Sequence, residues 1–359
     1  KCKTTLMEDK LGKKIFKVVQ WSSGNVGKAS IRGIVQREDL ELVGLIVHDN
    51  EKVGKDAGVI AGIEETGILA TDQIDDILSK DIDCVHYTPL ASFRMGLDPE
   101  ADKKNILSIL RRGINVVTTV GYLFPKAFGD ELTKEIEEAC IAGGVSLHGT
   151  GYNPGWLAEL IPLTMSGMSE KINKITVSES SEFSYYPSKE IVMDGMLMGK
   201  TMEEYEKEAD KYESWLSGLF KEAVYLIAEG IGTEISNVEE DLQIVIADKD
   251  LEIAAGIIKE GTICAQRRKW TGHCTNEVLI IQEAIYRAHS DFAKEWDEPV
   301  GVNIEVEGSP NMKISFSHDW NDDPLISTAM HGVNAIPKVC NAEPGFKSFL
   351  DLPLITSRV

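Results

Sequence analysis

The sequence predicts an α/β protein, a doubly wound parallel sheet followed by a second α+β unit whose sheet is mainly antiparallel. Three observations carry that expectation. From Phe16 to about Gly155, short β-branched runs alternate with amphipathic stretches, the pattern of βαβ units on a parallel sheet. After Gly155 comes a strongly acidic helical stretch, then longer segments that alternate apolar and polar residues. From Pro324 onward the chain reverts to helix and loop. The pattern divides the chain into a doubly wound unit (1–155), an α+β unit (156–322) and a returning helix and tail (323–359).

In the first unit, strands are expected at Phe16 to Trp21, Leu42 to Val47, Cys84 to Tyr87, Asn115 to Thr118 and Val145 to His148. Their short apolar runs suit strands buried on both faces. Helices are expected at Val26 to Arg37, Thr71 to Ser79, Pro99 to Arg112 and Asp130 to Ala142, with Thr71-Asp72 as a cap and Gly113 and Gly143 as stops. A helix to about Met168 opens the second unit, followed by a strand at Lys174 to Phe183 and the acidic helix Thr201 to Glu229. Leu242 to Ala247, Ile258 to Thr271, Glu277 to Ala288, Val302 to Val306 and Met312 to His318 complete an antiparallel sheet, with a hairpin turn at Cys274 to Asn276.

Composition excludes several classes. With 43% hydrophobic residues and 12 prolines in 359, the chain is neither disordered nor fibrous. Its 58 acidic against 37 basic residues give a net charge of −21, which repels polyanions, and no basic stripe offsets it. Nucleic acid is not an expected partner. The six cysteines are dispersed without C-x-x-C spacing, which fits free thiols in the cytoplasm. The start of the chain has no uninterrupted apolar run of the signal-peptide kind, and no stretch approaches the ~20 apolar residues of a membrane span. Neither a G-x-S-x-G elbow nor H-E-x-x-H occurs, and no metal site is expected.

The most informative segment runs from Lys17 to Lys28, where a strand enters a small-residue turn and leaves as a helix. Unpaired amides and the positive helix end converge there, which suits a pyrophosphate. Against G-x-G-x-x-G, Ser22 takes the first position, Gly24 the second and Gly27 the third. Ser23, Asn25, Val26 and Lys28 complete the segment. At the end of the second strand Asp49 favours a ribose diol and hence NAD, whereas His48, Lys28, Lys52 and Lys55 would neutralise the extra phosphate of NADP. A plain polar turn at Asp49-Asn50 is the alternative. Thr88-Pro89 and Thr118 to Tyr122 also end strands on the ligand side of such a sheet, as nicotinamide contacts or as ordinary loops. The linker His148 to Trp156 falls at the junction of the two units, with Asn153 as donor and acceptor and Pro154 expected to open the next helix.

Three stretches together, Val18 to Lys28 (VVQWSSGNVGK), Asn115 to Thr119 with Gly121-Tyr122, and Gly149 to Trp156 (GTGYNPGW), resemble the dihydrodipicolinate reductase-like superfamily. The similarity is to its branch of native amine dehydrogenases and 2,4-diaminopentanoate dehydrogenase. It extends to Leu42 to Gly58, Arg268 to Gly272 and Val333 to Leu354, including the NAIP run at Asn334. The resemblance implies a Rossmann domain, a sheet-based substrate domain, a homodimer, and hydride transfer with NAD or NADP to carbon doubly bonded to oxygen or nitrogen. Carried over, Ser22 to Gly27 would hold the pyrophosphate, Thr88, Thr119 and Asn153 would border the nicotinamide, and Asn334 would face the cofactor cleft. The departures are as informative. The amine-handling glutamate expected shortly after the N-V-V-S/T strand is replaced by Val120-Gly121-Tyr122, and the reductases' paired histidines are absent.

Hydride delivery to a carbonyl needs a proton donor, whereas delivery to an iminium needs none. Tyr122 stands where the related enzymes have the acid, as donor or as packing beside Phe124. His148 ends a strand at the expected cleft, and a structural role is the alternative. Glu179 and Glu182 fall on opposite faces of one strand, so one faces the ligand. Arg267, Arg268 and His273 read as a solvated hairpin, His331 as a residue looking into the cleft, and the acidic helix as a solvated face. The expected activity is reduction of a small or medium, moderately apolar ketone or imine, or the reverse oxidation. The rivals are reductive amination with ammonia, a dinucleotide sensor without turnover, and a lyase or epimerase using bound NAD.

Overall fold

The computed structural model describes residues 14–92, 98–297, 299–317 and 323–358. The first unit runs β1 (Phe16–Trp21), α1 (Asn25–Val35), β2 (Leu40–Ile46), α2 (Ala57–Ala61), β3 (Ala70–Thr71), α3 (Ile74–Leu78), β4 (Cys84–Tyr87), α4 (Ala101–Arg111), β5 (Asn115–Thr118), α5 (Asp130–Gly143) and β6 (Ser146–Gly149). The second contains α6 (Ile161–Ser166), β7 (Lys171–Glu182), α7 (Lys189–Val192), α8 (Met202–Gly230), β8 (Ile235–Ile246), β9 (Leu251–Ile253), β10 (Gly256–Ile258), β11 (Ile263–Cys274), β12 (Leu279–Arg287), β13 (Gly301–Ser309) and β14 (Met312–Phe316). The chain returns through α9 (Asp323–Cys340) and β15 (Gly345–Phe346).

The first sheet has seven strands in the order β15-β6-β5-β4-β1-β2-β3, every pair parallel. Its 3-2-1-4-5-6 arrangement, extended by β15, is that of a dinucleotide-binding sheet, with the order reversing between β1 and β4. One face buries Val19, Trp21, Val85 and Tyr87 with Ile106, Ile109 and Leu110 of α4 and Ile136 of α5. The other buries Val18, Leu42 and Leu45 with Ile31 and Ile34 of α1 and Val333, Ile336 and Val339 of α9. Helix α9 therefore covers this sheet although its sequence follows the second unit. A Cβ on Gly33 would meet Met330 Sδ at 2.5 Å, so glycine sets how closely α1 and α9 approach.

In the second sheet, β14-β13-β7-β12-β11-β8, all neighbours are antiparallel except β7 and β12, which run parallel. The mainly antiparallel expectation holds, and the one parallel pair arises because β7 reaches β12 through a long crossover containing α8, not through a hairpin. Helix α8 packs Leu216, Phe220, Val224 and Ile227 against Ile175, Val177, Trp270 and Ile280 of this sheet. It opens with a capping box between Thr201 and Glu204. The expected strand Ile258 to Thr271 is broken into β10 and β11 by a turn at Gly261, where φ is +81°. Likewise Thr71 belongs to β3, and α3 begins after Gln73. The expected strand end at His318 lies outside the described residues.

A buried ion cluster ties the start of β2 to the returning chain. Arg37 Nε and Nη2 each donate to the Asp39 carboxylate at 2.8 Å, and Arg358 Nη1 adds a third bond at 3.0 Å. Hydrogen bonding from Arg37 holds the Asp39 carboxyl below its ordinary range. Removing one member of a buried pair strands the other's charge. Asp39→Ala should therefore cost about 3 kcal/mol in urea unfolding, while Arg358→Ala, at the half-exposed end of the cluster, should cost less than about 1 kcal/mol.

Candidate functional site

Trp21 ends β1, and the next three residues turn the chain into α1. Ser22 has φ +83°, a left-handed backbone more natural to glycine, which is why the fingerprint has glycine there. Gly24 is the N-cap, in extended backbone, and no side chain caps the helix. The first-turn amides of α1 are therefore orphan donors, and its first turn holds no acidic residue. A Cβ on Gly24 would have nothing within 4 Å, whereas one on Gly27 would stand 2.2 Å from the Ser22 carbonyl oxygen. Gly24 thus faces open space, and Gly27 lets the helix pack under the turn. Beneath both, the buried Gln20 donates from Nε2 to the carbonyls of Trp21 and Ser22 at 3.1 and 3.0 Å and to Thr88 Oγ1 at 2.7 Å.

This turn is one wall of a cleft of about 530 Å³ that collects the strand ends. Ser22, Ser23, Gly24, Asn25 and Val26 line it from the turn, and His48 and Asp49 from the end of β2. Trp21 Nε1 donates to His48 Nε2 at 3.1 Å. Asp49 Oδ1 accepts the Glu51 amide at 3.0 Å, so Asp49 both shapes a turn and faces the cleft, with Lys52 3.7 Å away. Thr88 and Pro89 contribute after β4, Thr119 and Gly121 after β5, and Thr150 to Pro154 after β6. Ile191 and Leu219 of the second unit and Leu325 of α9 form an apolar wall, with the Tyr186 phenol beside them. Asp49 is the one carboxylate among the described residues lining the cleft.

Other expected site residues lie elsewhere. Tyr122 is not in the lining. Its φ is +60°, and its ring turns onto the core between the sheet and α4 and α5, where burial pushes its phenol further up. His148 is fully buried: its Nδ1 donates to the Lys347 carbonyl at 2.6 Å, its ring meets Phe349 edge-on, and burial lowers its pKa to about 4. A histidine so held is structural. Glu179 stands behind the lining, where its Oε2 accepts from Asn153 Nδ2 at 2.5 Å and its Oε1 from Ser181. Asn334 is turned to the far side of α9, accepting from Arg37 Nη1 at 2.7 Å. Lys28 and Gly27 also fall outside the lining. Pro154 does not open a helix: residues 153–155 are non-helical, and the helix starts beyond Gly155. Arg268, expected in solvent, is buried and donates to Tyr205 and Gln266. His331 does not face the cleft but reaches it through a 2.7 Å hydrogen bond between its Nδ1 and Thr150 Oγ1.

Residues 156–359 match the family model described as the 2,4-diaminopentanoate dehydrogenase C-terminal domain, and residues 18–96 match the dihydrodipicolinate reductase N-terminus. The chain belongs to the 2,4-diaminopentanoate dehydrogenase C-terminal domain family. An amine dehydrogenase of Streptomyces virginiae is 28% identical, covering 95% of this chain and 97% of the relative. The 2,4-diaminopentanoate dehydrogenase of Acetoanaerobium sticklandii is 27% identical over 94% and 93%. The solved amine dehydrogenase from Mycobacterium smegmatis shares the fold at a TM-score of 0.78, with 19% identity over 96% of this chain and 97% of that one. Like these family members, the protein is an NAD(P)-dependent oxidoreductase.

The family's cofactor also fits the site on structural grounds: uncapped amides at the start of α1 beside a glycine with open space form an anion cradle. Two features of the site escape the sequence reading. Glu159 and Glu222 are buried carboxyls directly behind the cleft, accepting the amides of Gly155 at 2.5 Å and Phe124 at 3.0 Å. Glu222 sits in a helix whose acidic first half reads as solvated, and that reading fails beyond Leu216, where buried residues follow one another around the whole helix. A lone acid within an apolar helical run is the signal available for both.

The contrast between the two glycines gives a direct test. Gly24→Val should keep the fold, with a stability change of about 1 kcal/mol, yet abolish NADH and NADPH binding in a fluorescence titration. Gly27→Ala should instead destabilise by about 1–3 kcal/mol through its clash with Ser22.

Proposed function

We propose that the protein interconverts a small or medium, moderately apolar amine with its imine or ketone, using NAD(H) or NADP(H). The observation that carries this reading is the cleft's composition. At its substrate end the described lining is apolar apart from the Tyr186 phenol, and the one carboxylate, Asp49, belongs to the opposite end, after β2. Such a wall offers an alkoxide no charged acid, whereas a cationic iminium accepts hydride without any donor. The two relatives that match over nearly the whole chain, an amine dehydrogenase and a 2,4-diaminopentanoate dehydrogenase, are named for amines as well.

In this reading Ser22, Ser23, Gly24, Asn25 and Val26 would hold the diphosphate on amide donors, and His48 and Asp49 the adenine-side ribose. Thr88, Pro89, Thr119, Asn153 and Pro154 would border the nicotinamide, which when bound supplies or accepts the hydride. Asn153 is fixed by Glu179, so its amide group is presented in one orientation. Tyr186, Ile191, Leu219 and Leu325 exclude water from the reacting carbon. The reading includes a cytoplasmic homodimer, as the family resemblance implies, and the unpaired Cys84, Cys140, Cys264, Cys274 and Cys340 fit a reducing compartment.

The test is oxidation of NADH and of NADPH, followed by absorbance, with aliphatic and aromatic ketones in the presence and absence of ammonium, and with preformed cyclic imines. Turnover that requires ammonium or a preformed imine is expected. Equal rates with ketone alone would assign a carbonyl reductase instead, and tight dinucleotide binding without turnover on any compound would assign a sensor.

A further inference from the structure

The two buried carboxyls behind the cleft have no part in the reaction as proposed, and both occupy an unusual place. Glu222, on α8, is 1% exposed. Its Oε1 accepts the Phe124 amide at 3.0 Å, and the neighbouring Tyr122 and Leu123 amides also help to hold its carboxyl down. Its Oε2 lies 3.6 Å from where a Cβ on Gly121 would stand, and Gly121 is part of the cleft wall. Glu159 accepts the Gly155 amide through Oε2, while its Oε1 is buried without a partner. Each acid thus comes from helical chain beyond Gly155 and grips the backbone of a loop that ends a strand of the first sheet. Glu222 holds the loop after β5, which carries Thr119 and Gly121. Glu159 holds the loop after β6, which carries Asn153 and Pro154.

An apolar side chain would fill either space at less cost than a carboxyl. The surroundings are apolar, with Leu123, Phe124, Leu226 and Phe349 clustered there and Leu160 and Tyr225 packed against them. Among the described residues no cation compensates: the flanking Lys126 and Lys221 are paired with Glu229 and Glu240. The titratable neighbours are Tyr122 on the gripped loop and the two acids themselves. What a carboxylate provides here and a leucine cannot is several acceptor sites for consecutive amides at a sharp turn.

We infer that Glu222, with Glu159 under the neighbouring loop, is a positioning residue for hydride transfer, fixing the strand-end loops that border the reacting groups. This rests on the reading of the cleft proposed above. Burial raises the Glu222 pKa to about 7, and burial, with a smaller push from Glu222, holds the Glu159 carboxyl well above its ordinary range. Below that pH the proton weakens Glu222 as an acceptor and the loop loosens. Above it the carboxylate grips all the amides.

The experiment compares wild type, Glu222→Gln, Glu222→Asp and Glu159→Gln. Amide hydrogen exchange, expressed as protection over the intrinsic rate, is followed between about pH 6 and 8. Protection of Tyr122, Leu123 and Phe124 should rise several-fold with pH in the wild type and stay low and flat in Glu222→Gln. With NADPH and the ketone–ammonium pair that gives turnover, Glu222→Gln should lose about tenfold in kcat while dinucleotide affinity changes less than about twofold, the split expected of a residue that orients rather than binds. Glu222→Asp, which keeps the charge, should recover the pH dependence of protection. Matching protection curves for wild type and Glu222→Gln, or equal losses in affinity and kcat, would overturn the inference. Failure of the wild-type protein to bind any nicotinamide dinucleotide would instead strike the proposed function on which the inference rests.

Discussion

The start of α1 has to leave its amides unpaired towards the cleft while the chain beneath stays fully satisfied, and the burial of Gln20 reconciles the two demands. Its Nε2 reaches the carbonyls of Trp21 and Ser22 and the hydroxyl of Thr88, and its Oε1 accepts from His86 Nδ1 at 3.0 Å. One side chain therefore joins β1 to β4 across the point where the strand order reverses. It also anchors the carbonyl of Ser22, whose positive φ would otherwise be free to relax. An anion cradle made of backbone is only as well placed as the turn that carries it. Here the turn is held from below by hydrogen bonds that the anion does not touch.

The other walls of the cleft are held by chain that does not belong to the first sheet's own sequence. Helix α9 packs on α1 and brings Leu325 and Thr328 to the lining, and Thr328 Oγ1 accepts the Tyr152 amide at 3.3 Å. Glu179 of β7 fixes Asn153, and the acids behind the loops after β5 and β6 fix their backbones. The strand ends thus face a common crevice because the second unit grips them. Local charge follows the same logic. A protein of net charge −21 repels a dinucleotide at long range, but screening reduces that repulsion beyond about 8–10 Å. Within that distance the orphan amides of α1 and the Lys52–Asp49 pair set the potential.

How much of this the sequence discloses depends on how local each cause is. The strands Phe16–Trp21, Cys84–Tyr87 and Asn115–Thr118 are read to the residue because a short β-branched run between polar turns has few alternatives. The turn from Ser22 to Val26 is legible because its chemistry lies in consecutive residues. Asn334 and His148 mislead for the opposite reason: each sits beside a motif that marks the cleft, yet a partner distant in sequence, Arg37 for one and the Lys347 carbonyl for the other, claims its polar atoms. Tyr122 misleads through backbone alone, since a positive φ redirects a side chain that strand alternation would send elsewhere. Glu222 is invisible because the sequence shows an acidic helix, whereas burial is a property of what packs around its second half.

Buried titratable groups give the fold two opposed dependences on pH. His86, His148 and His331 are held neutral by burial, with pKa values lowered to about 3, 4 and 4. The unfolded chain binds protons at these positions below the ordinary histidine value near 6.5, so their contribution to stability is present above that pH and drains away on acidification. Glu222 and Glu159 act with the reverse sign. Their carboxyls bind protons more tightly in the folded state, so the stability linked to them is present at low pH and is lost as pH climbs from the ordinary glutamate range through about 7 for Glu222. Acidification thus works against three imidazoles, His86 beneath α9, His148 beneath the tail and His331 on α9 itself, while alkalinisation works against two carboxyls that underpin the cleft loops. A group placed to grip backbone amides is most effective in the charged form that burial disfavours. The loops bordering the reacting groups are therefore gripped most firmly at a pH where the fold as a whole has given up part of its stability.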